Sequence, residues 1–210
     1  MYSRLFLLLT AYFLWHLSQQ FLSTDVKTEF LIVDRLHDSS FFTMINEYLA
    51  NNSFIAAANF ILTSLLIDMN VLYIAYRYLK TNNFKKTMFI LFGGFMCRQL
   101  CQYINRLPVP NNMVWFDPGF PAFLVTYVVE NDFFFSGHTY VALSVGIAIV
   151  SGSKNIFVKM YGIFFILYEI LFIISIRAHY FMDIYGAIAT YFMLAYFYDK
   201  MVEHKIISNN

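Results

Sequence analysis

Ile156-Phe-Val-Lys-Met-Tyr-Gly-Ile-Phe-Phe-Ile-Leu-Tyr-Glu-Ile-Leu-Phe-Ile-Ile-Ser-Ile176 decides the fold class. The run is apolar apart from Lys159 near its start and Glu169 towards its end. A helix crossing a hydrocarbon core of roughly 30 Å needs about 20 mainly apolar residues. This stretch meets that length, and five others come close. The six expected spans are 5–22, 54–79, 87–104, 135–150, 156–176 and 180–198.

Composition agrees. Over 210 residues, 60% are hydrophobic, 20% aromatic and 13% charged. Soluble domains carry roughly 25% charged residues, so this chain has too little charge to cover a water-facing surface. Apolar dominance excludes disorder. A net charge of +1, from 14 basic and 13 acidic residues, argues against a nucleic-acid partner. The expected fold is all-α: an integral membrane six-helix bundle forming a single transmembrane domain over 1–210. The first span reads as an uncleaved helix, since no small-x-small cleavage pattern follows Leu5-Phe-Leu-Leu-Leu9.

Segment 41–49 has the pattern of a short amphipathic helix at the interface. All four prolines, Pro108, Pro110, Pro118 and Pro121, fall between the third and fourth spans, which marks an irregular loop. Trp115 and Phe116 are expected to anchor that loop at the membrane surface. Cys97 and Cys101, four apart, read as packing residues.

With a cytoplasmic N-terminus, nine of the 14 basic residues lie in cytoplasmic segments: Arg4, Arg77, Lys80, Lys85, Lys86, Lys154, Lys159, Lys200 and Lys205. The positive-inside tendency therefore places both termini in the cytoplasm. It also brings Arg98, His138, Arg177 and His179 towards the opposite face, although they are distant in sequence.

Two segments there carry chemistry: Asp132-Phe-Phe-Phe-Ser136-Gly137-His138-Thr139 and Arg177-Ala-His179-Tyr180-Phe-Met-Asp183. His179 and Asp183, four apart, share one helix face. A carboxylate on one ring nitrogen fixes the tautomer, leaves the other nitrogen nucleophilic and supports positive charge on the ring. The alternative is a structural pair at a helix start. Ser136 suits an N-cap, and Gly137 lets a phosphate approach the free amides. His138 is placed to protonate a departing alkoxide. Asp132 either orients His138 or is an exposed loop carboxylate. Arg98 and Arg177 supply guanidinium forks for phosphate oxygens. An arginine inside a span is costly, so Arg98 either faces the bundle interior or snorkels to the headgroups. Glu169 either lies beneath the site or makes a structural contact; Asp68 reads as structural, and His16 as a packed neutral histidine. The Asp34–Asp38 segment reads as a lid or, more simply, a solvated loop. Together these parts suit phosphoryl transfer, with no cofactor and no metal site.

At these residues the chain resembles the lipid phosphatase/phosphotransferase superfamily that includes type-2 phosphatidic acid phosphatases. Phe135 stands where that phosphatase branch has proline, and no Arg-Pro is present. The chain is closer to the sphingomyelin synthase branch, through Asp132-x3-Ser136-Gly137-His138-Thr139 and Arg177-x-His179-Tyr180-x-x-Asp183. Arg98 ahead of Leu107-Pro-Val-Pro110 adds a third motif. It is similar over the same stretch to plant phosphatidylcholine:diacylglycerol cholinephosphotransferase, including Phe120-Pro121. The resemblance covers about residues 90–198, and Glu130-Asn131 depart from the Cys-Gly of sphingomyelin synthases.

The resemblance implies six spans, His179 as nucleophile oriented by Asp183, and His138 as acid then base. It also implies a site on the non-cytoplasmic face, with Thr139 and Tyr180 as supporting positions. The expected function is a membrane lipid phosphotransferase. It would move a headgroup such as phosphocholine from a phospholipid to diacylglycerol or ceramide through a phosphohistidine. With water as acceptor the same machinery would be a lipid phosphatase. A transporter or haem carrier is the competing class; the enzyme reading requires His138, His179 and Arg98 to converge in one headgroup-sized pocket.

Overall fold

A computed structural model of the chain describes residues 1–22, 32–81, 84–105, 107–127 and 133–208. Among them there are seven helices and no strand. They are α1 (Tyr2–Leu22), α2 (Ser40–Asn51), α3 (Ser53–Thr81), α4 (Lys85–Ile104), α5 (Gly137–Gly152), α6 (Ile156–Ser175) and α7 (Phe181–Ser208). The six apolar runs and the 41–49 segment fall on these helices in order. The fourth starts at Gly137 instead of 135 because Ser136 caps it. The last continues to Ser208, past 198, because nothing in the tail breaks a helix. Two helices, α3 and α6, are long and apolar enough to cross a membrane, and α5 is a shorter apolar helix.

α5 is the central element, packed against α3, α4, α6 and α7. Its residues from Thr139 to Gly146 are all buried, the expected state of a helix that is apolar on every side. Small residues permit the approach of α6. A Cβ on Gly146 would stand 3.0 Å from the Gly162 carbonyl oxygen, and a Cβ on Gly162 the same distance from that of Gly146. Such close backbone contact is the packing mode helices use where lipid removes the hydrophobic drive between them.

The proline-rich segment is irregular, as expected, but it folds inward. Backbone amides without a helix or sheet partner need acceptors wherever water is excluded. Asp68, midway along α3, accepts Phe123 N–H at 2.8 Å and Leu124 N–H at 3.1 Å. The Tyr127 hydroxyl donates to the Phe60 carbonyl at 2.8 Å, which leaves Ser64 to donate to Tyr127. Burial pushes the Tyr127 pKa up to about 12, so the phenol stays a donor at neutral pH. Trp115 and Phe116, expected as surface anchors, are half-buried and turned towards the bundle. Both pack edge-on against buried Phe60, at 5.5 and 5.0 Å, and Trp115 Nε1 donates to the Tyr127 carbonyl. The partners that α3 offers draw the loop in. His16 is exposed, bonds the Tyr12 hydroxyl at 2.9 Å and packs edge-on against the Tyr12 and Trp15 rings, each at 4.8 Å.

Asp68→Ala removes both acceptors and is expected to lower stability by about 3 kcal/mol, since bonds to charged groups contribute roughly 1.5–3 kcal/mol each. Asp68→Asn keeps one oxygen and should fall between variant and parent in denaturant unfolding.

Candidate active site

The start of α5 is built by its own sequence. Ser136 Oγ accepts the Thr139 amide at 3.3 Å, so the expected N-cap forms. Ser136 N–H donates to the Asp183 carbonyl at 3.1 Å, which staples the start of α5 to the first turn of α7. Gly137 leaves room beside it. A Cβ would meet Arg98 Nε at 3.3 Å and Cζ at 3.4 Å, so glycine lets the guanidinium lie across the helix start.

Arg98 is 4% exposed and does not snorkel. Its Nε donates to the Phe135 carbonyl at 2.8 Å, and Nη1 reaches Gln102 Oε1 at 3.4 Å. The fork is thereby fixed beside the α5 amides, a rigid positive charge next to a positive helix end.

His179 and Asp183 meet. Nδ1 lies 3.3 Å from Asp183 Oδ2, which also accepts the Tyr180 amide at 2.9 Å. Asp183 is fully buried and cannot turn to solvent. With a carboxylate at Nδ1, that nitrogen carries the proton and Nε2 keeps its lone pair. His138, in the first turn of α5, has its Nε2 buried without a hydrogen-bond partner among the described residues. Arg98, Gly137, His138 and His179 line one cleft. A haem or transport reading has no such requirement, so this convergence favours the enzyme class.

Other expected site residues fall elsewhere. Arg177 does not line the cleft. It is buried with φ 56°, and its Nη2 donates to the His37 carbonyl at 2.8 Å and to Thr43 Oγ1 at 3.2 Å. Nη1 donates to the Asn111 carbonyl at 3.3 Å. The guanidinium ties three segments together. Glu169 is fully buried, accepts the Thr63 hydroxyl and is not a cleft residue. Tyr180 donates to the Pro108 carbonyl at 3.1 Å and does not line the cleft. Thr139 is buried at the α5 start, with Oγ1 unpartnered among the described residues. Asp132 lies outside the described residues.

The Asp34–Asp38 segment is solvated at Arg35 and Asp38 but is tied down at His37 and Asp34. His37 Nε2 lies 3.0 Å from the His179 carbonyl oxygen, and its ring stacks on Tyr180 at 6.0 Å. Asp34 Oδ2 accepts the Phe181 amide at 2.6 Å, capping the start of α7. No periodicity signals this clamp; its only trace in the sequence is a dense polar cluster. Burial lowers the His37 pKa below 6.5, with the Asp34 charge opposing that shift. The neutral ring therefore donates through Nε2. A folded state that resists protonation loses stability as pH falls from 6.5 towards the lowered value, and keeps the full contribution above 6.5. Thermal melts should thus lose stability on acidification through that window, and the His37→Gln variant should lose less of it.

Residues 29–200 match the AtPDCT1/2 family model. The helical fold and that match define an enzyme class that acts on phospholipid headgroups. The chain belongs to the phosphatidylcholine:diacylglycerol cholinephosphotransferase family. No curated protein and no solved structure matches it.

Proposed function

We propose that the protein transfers phosphocholine from phosphatidylcholine to diacylglycerol through a phosphohistidine on His179. The observation that carries this reading is the convergence of Arg98, His138 and Asp183-braced His179 around one cleft. The donor phosphate lies against Arg98 and the first amides of α5. His179 Nε2 attacks phosphorus, the bond between phosphorus and the glycerol oxygen breaks, and protonated His138 gives its proton to the departing diacylglycerol alkoxide, becoming neutral. Asp183 stabilises the positive imidazole that results. A second diacylglycerol then enters. Neutral His138 takes its hydroxyl proton, the oxygen attacks phosphorus, the P–N bond breaks and His179 is regenerated. The reaction exchanges like bonds, so positioning and electrostatics supply the acceleration.

The same reading places six spans in the bilayer with both termini cytoplasmic and the cleft at the non-cytoplasmic face. Large apolar side chains facing outward support it, among them Phe6, Met96 and Phe157, at 69, 73 and 76% exposure. Substrates are then membrane lipids entering from the bilayer.

The test is purified protein in vesicles holding choline-labelled phosphatidylcholine and a diacylglycerol of distinct acyl composition. Labelled phosphatidylcholine carrying the acceptor's chains is the expected product. Its absence, with free phosphocholine or nothing released, contradicts the proposal.

A further inference from the structure

Trp15 and Trp115 are the chain's two tryptophans, and both line the cleft that holds Arg98, His138 and His179. They come from unrelated places, α1 and the proline-rich loop. Trp15 lies outside the residues that match the family. Phe95, one helical turn before Arg98 on α4, completes that wall.

The rings are held in place. Trp115 is fixed by its Nε1 bond to the Tyr127 carbonyl at 3.2 Å and stands perpendicular to His138 with centroids 6.2 Å apart. Trp15 and Phe95 meet edge to face at 6.1 Å. Among the described residues, no aspartate or glutamate lines the cleft.

A phosphocholine headgroup has two charges with opposite needs. Its phosphate takes hydrogen bonds, which Arg98 and the α5 amides offer. Its trimethylammonium has no N–H donor, so a carboxylate or carbonyl gives it no hydrogen bond. Aromatic faces within about 6 Å suit it, because the ring quadrupole attracts a cation without requiring donors. An ethanolamine headgroup carries three N–H donors, and an aromatic wall leaves them unpaired at a desolvation cost. Resting on the transferase reading above, we infer that Trp15, Phe95 and Trp115 form a quaternary-ammonium subsite that selects choline-headed donors over ethanolamine-headed ones.

The decisive test replaces both tryptophans, and nothing else, by growth of a tryptophan auxotroph on fluorinated indoles. Fluorination drains the ring quadrupole while leaving the shape nearly unchanged. Mono-, di- and tetrafluorinated proteins are compared for kcat/KM with phosphatidylcholine in vesicles. Phosphatidylethanolamine is measured alongside as donor or competitive inhibitor. The expected result is a stepwise fall for phosphatidylcholine, tenfold or more at tetrafluorination, with phosphatidylethanolamine unchanged. A flat series, or an equal fall for both lipids, overturns the subsite while leaving the transferase intact. An unmodified protein inactive with every donor overturns the transferase reading and the subsite with it.

Discussion

His179→Ala should abolish headgroup transfer while leaving the fold nearly unchanged. The imidazole is the proposed nucleophile, and loss of a group that forms a covalent intermediate removes the reaction path itself. Falls of 10⁴ or more in kcat are typical for such residues. Structurally the side chain contributes little. Its hydrogen bond to Asp183 is long at 3.3 Å, and Asp183 Oδ2 keeps the Tyr180 amide at 2.9 Å when the ring is gone. The His37 clamp grips the His179 carbonyl, which alanine retains. Thermal melts should therefore shift by only a few degrees. A structural role alone would reverse the pattern, with a large stability loss and residual transfer.

Gly94→Ala should be the most damaging substitution for folding. A Cβ there would stand 1.9 Å from Tyr140 Cζ, well inside the ring's van der Waals surface. Tyr140 cannot yield, being fully buried with its hydroxyl donating to the Ile90 carbonyl at 2.6 Å. Overpacking usually costs roughly 1–3 kcal/mol, and a displaced buried ring belongs at or above the top of that range. The contact has a functional side. Gly94 lies one turn from Arg98 on α4, and Tyr140 lies one turn from Gly137 on α5. The ring-on-glycine contact thus fixes the register that lays Arg98 across the α5 start. Gly94→Ala should reduce folded yield sharply. Adding Tyr140→Leu, which makes room, should restore part of the fold in a double-mutant cycle but little transfer.

The helices were legible because each is an apolar run of the right length between polar or proline-containing breaks. Ser136 as N-cap and the His179–Asp183 pair were legible because both are local, three or four residues across one helix turn. Arg98 was legible from cost, since a buried guanidinium demands a reason. What escaped sequence reading is long-range. Arg177 sits two residues from His179 and carries the right charge for phosphate, yet carbonyls of His37 and Asn111 engage it. His37 reaches His179 across 142 residues, and Asp68 catches amides 55 and 56 residues away. Trp115 looks like an interfacial anchor by composition and becomes a cleft wall because Asp68 and Phe60 draw its loop inward. Such partnerships follow from which backbone groups lack partners, and no residue spacing encodes that.

Trapping the covalent intermediate tests the central claim most directly. Protein mixed with choline-labelled phosphatidylcholine, without added diacylglycerol, is quenched rapidly under alkaline conditions that preserve phosphoramidates. The expected result is label on the peptide containing His179, discharged by diacylglycerol and absent from His179→Ala. Efficient transfer with no label on His179 at any quench time would contradict it, and would require donor and acceptor to react directly.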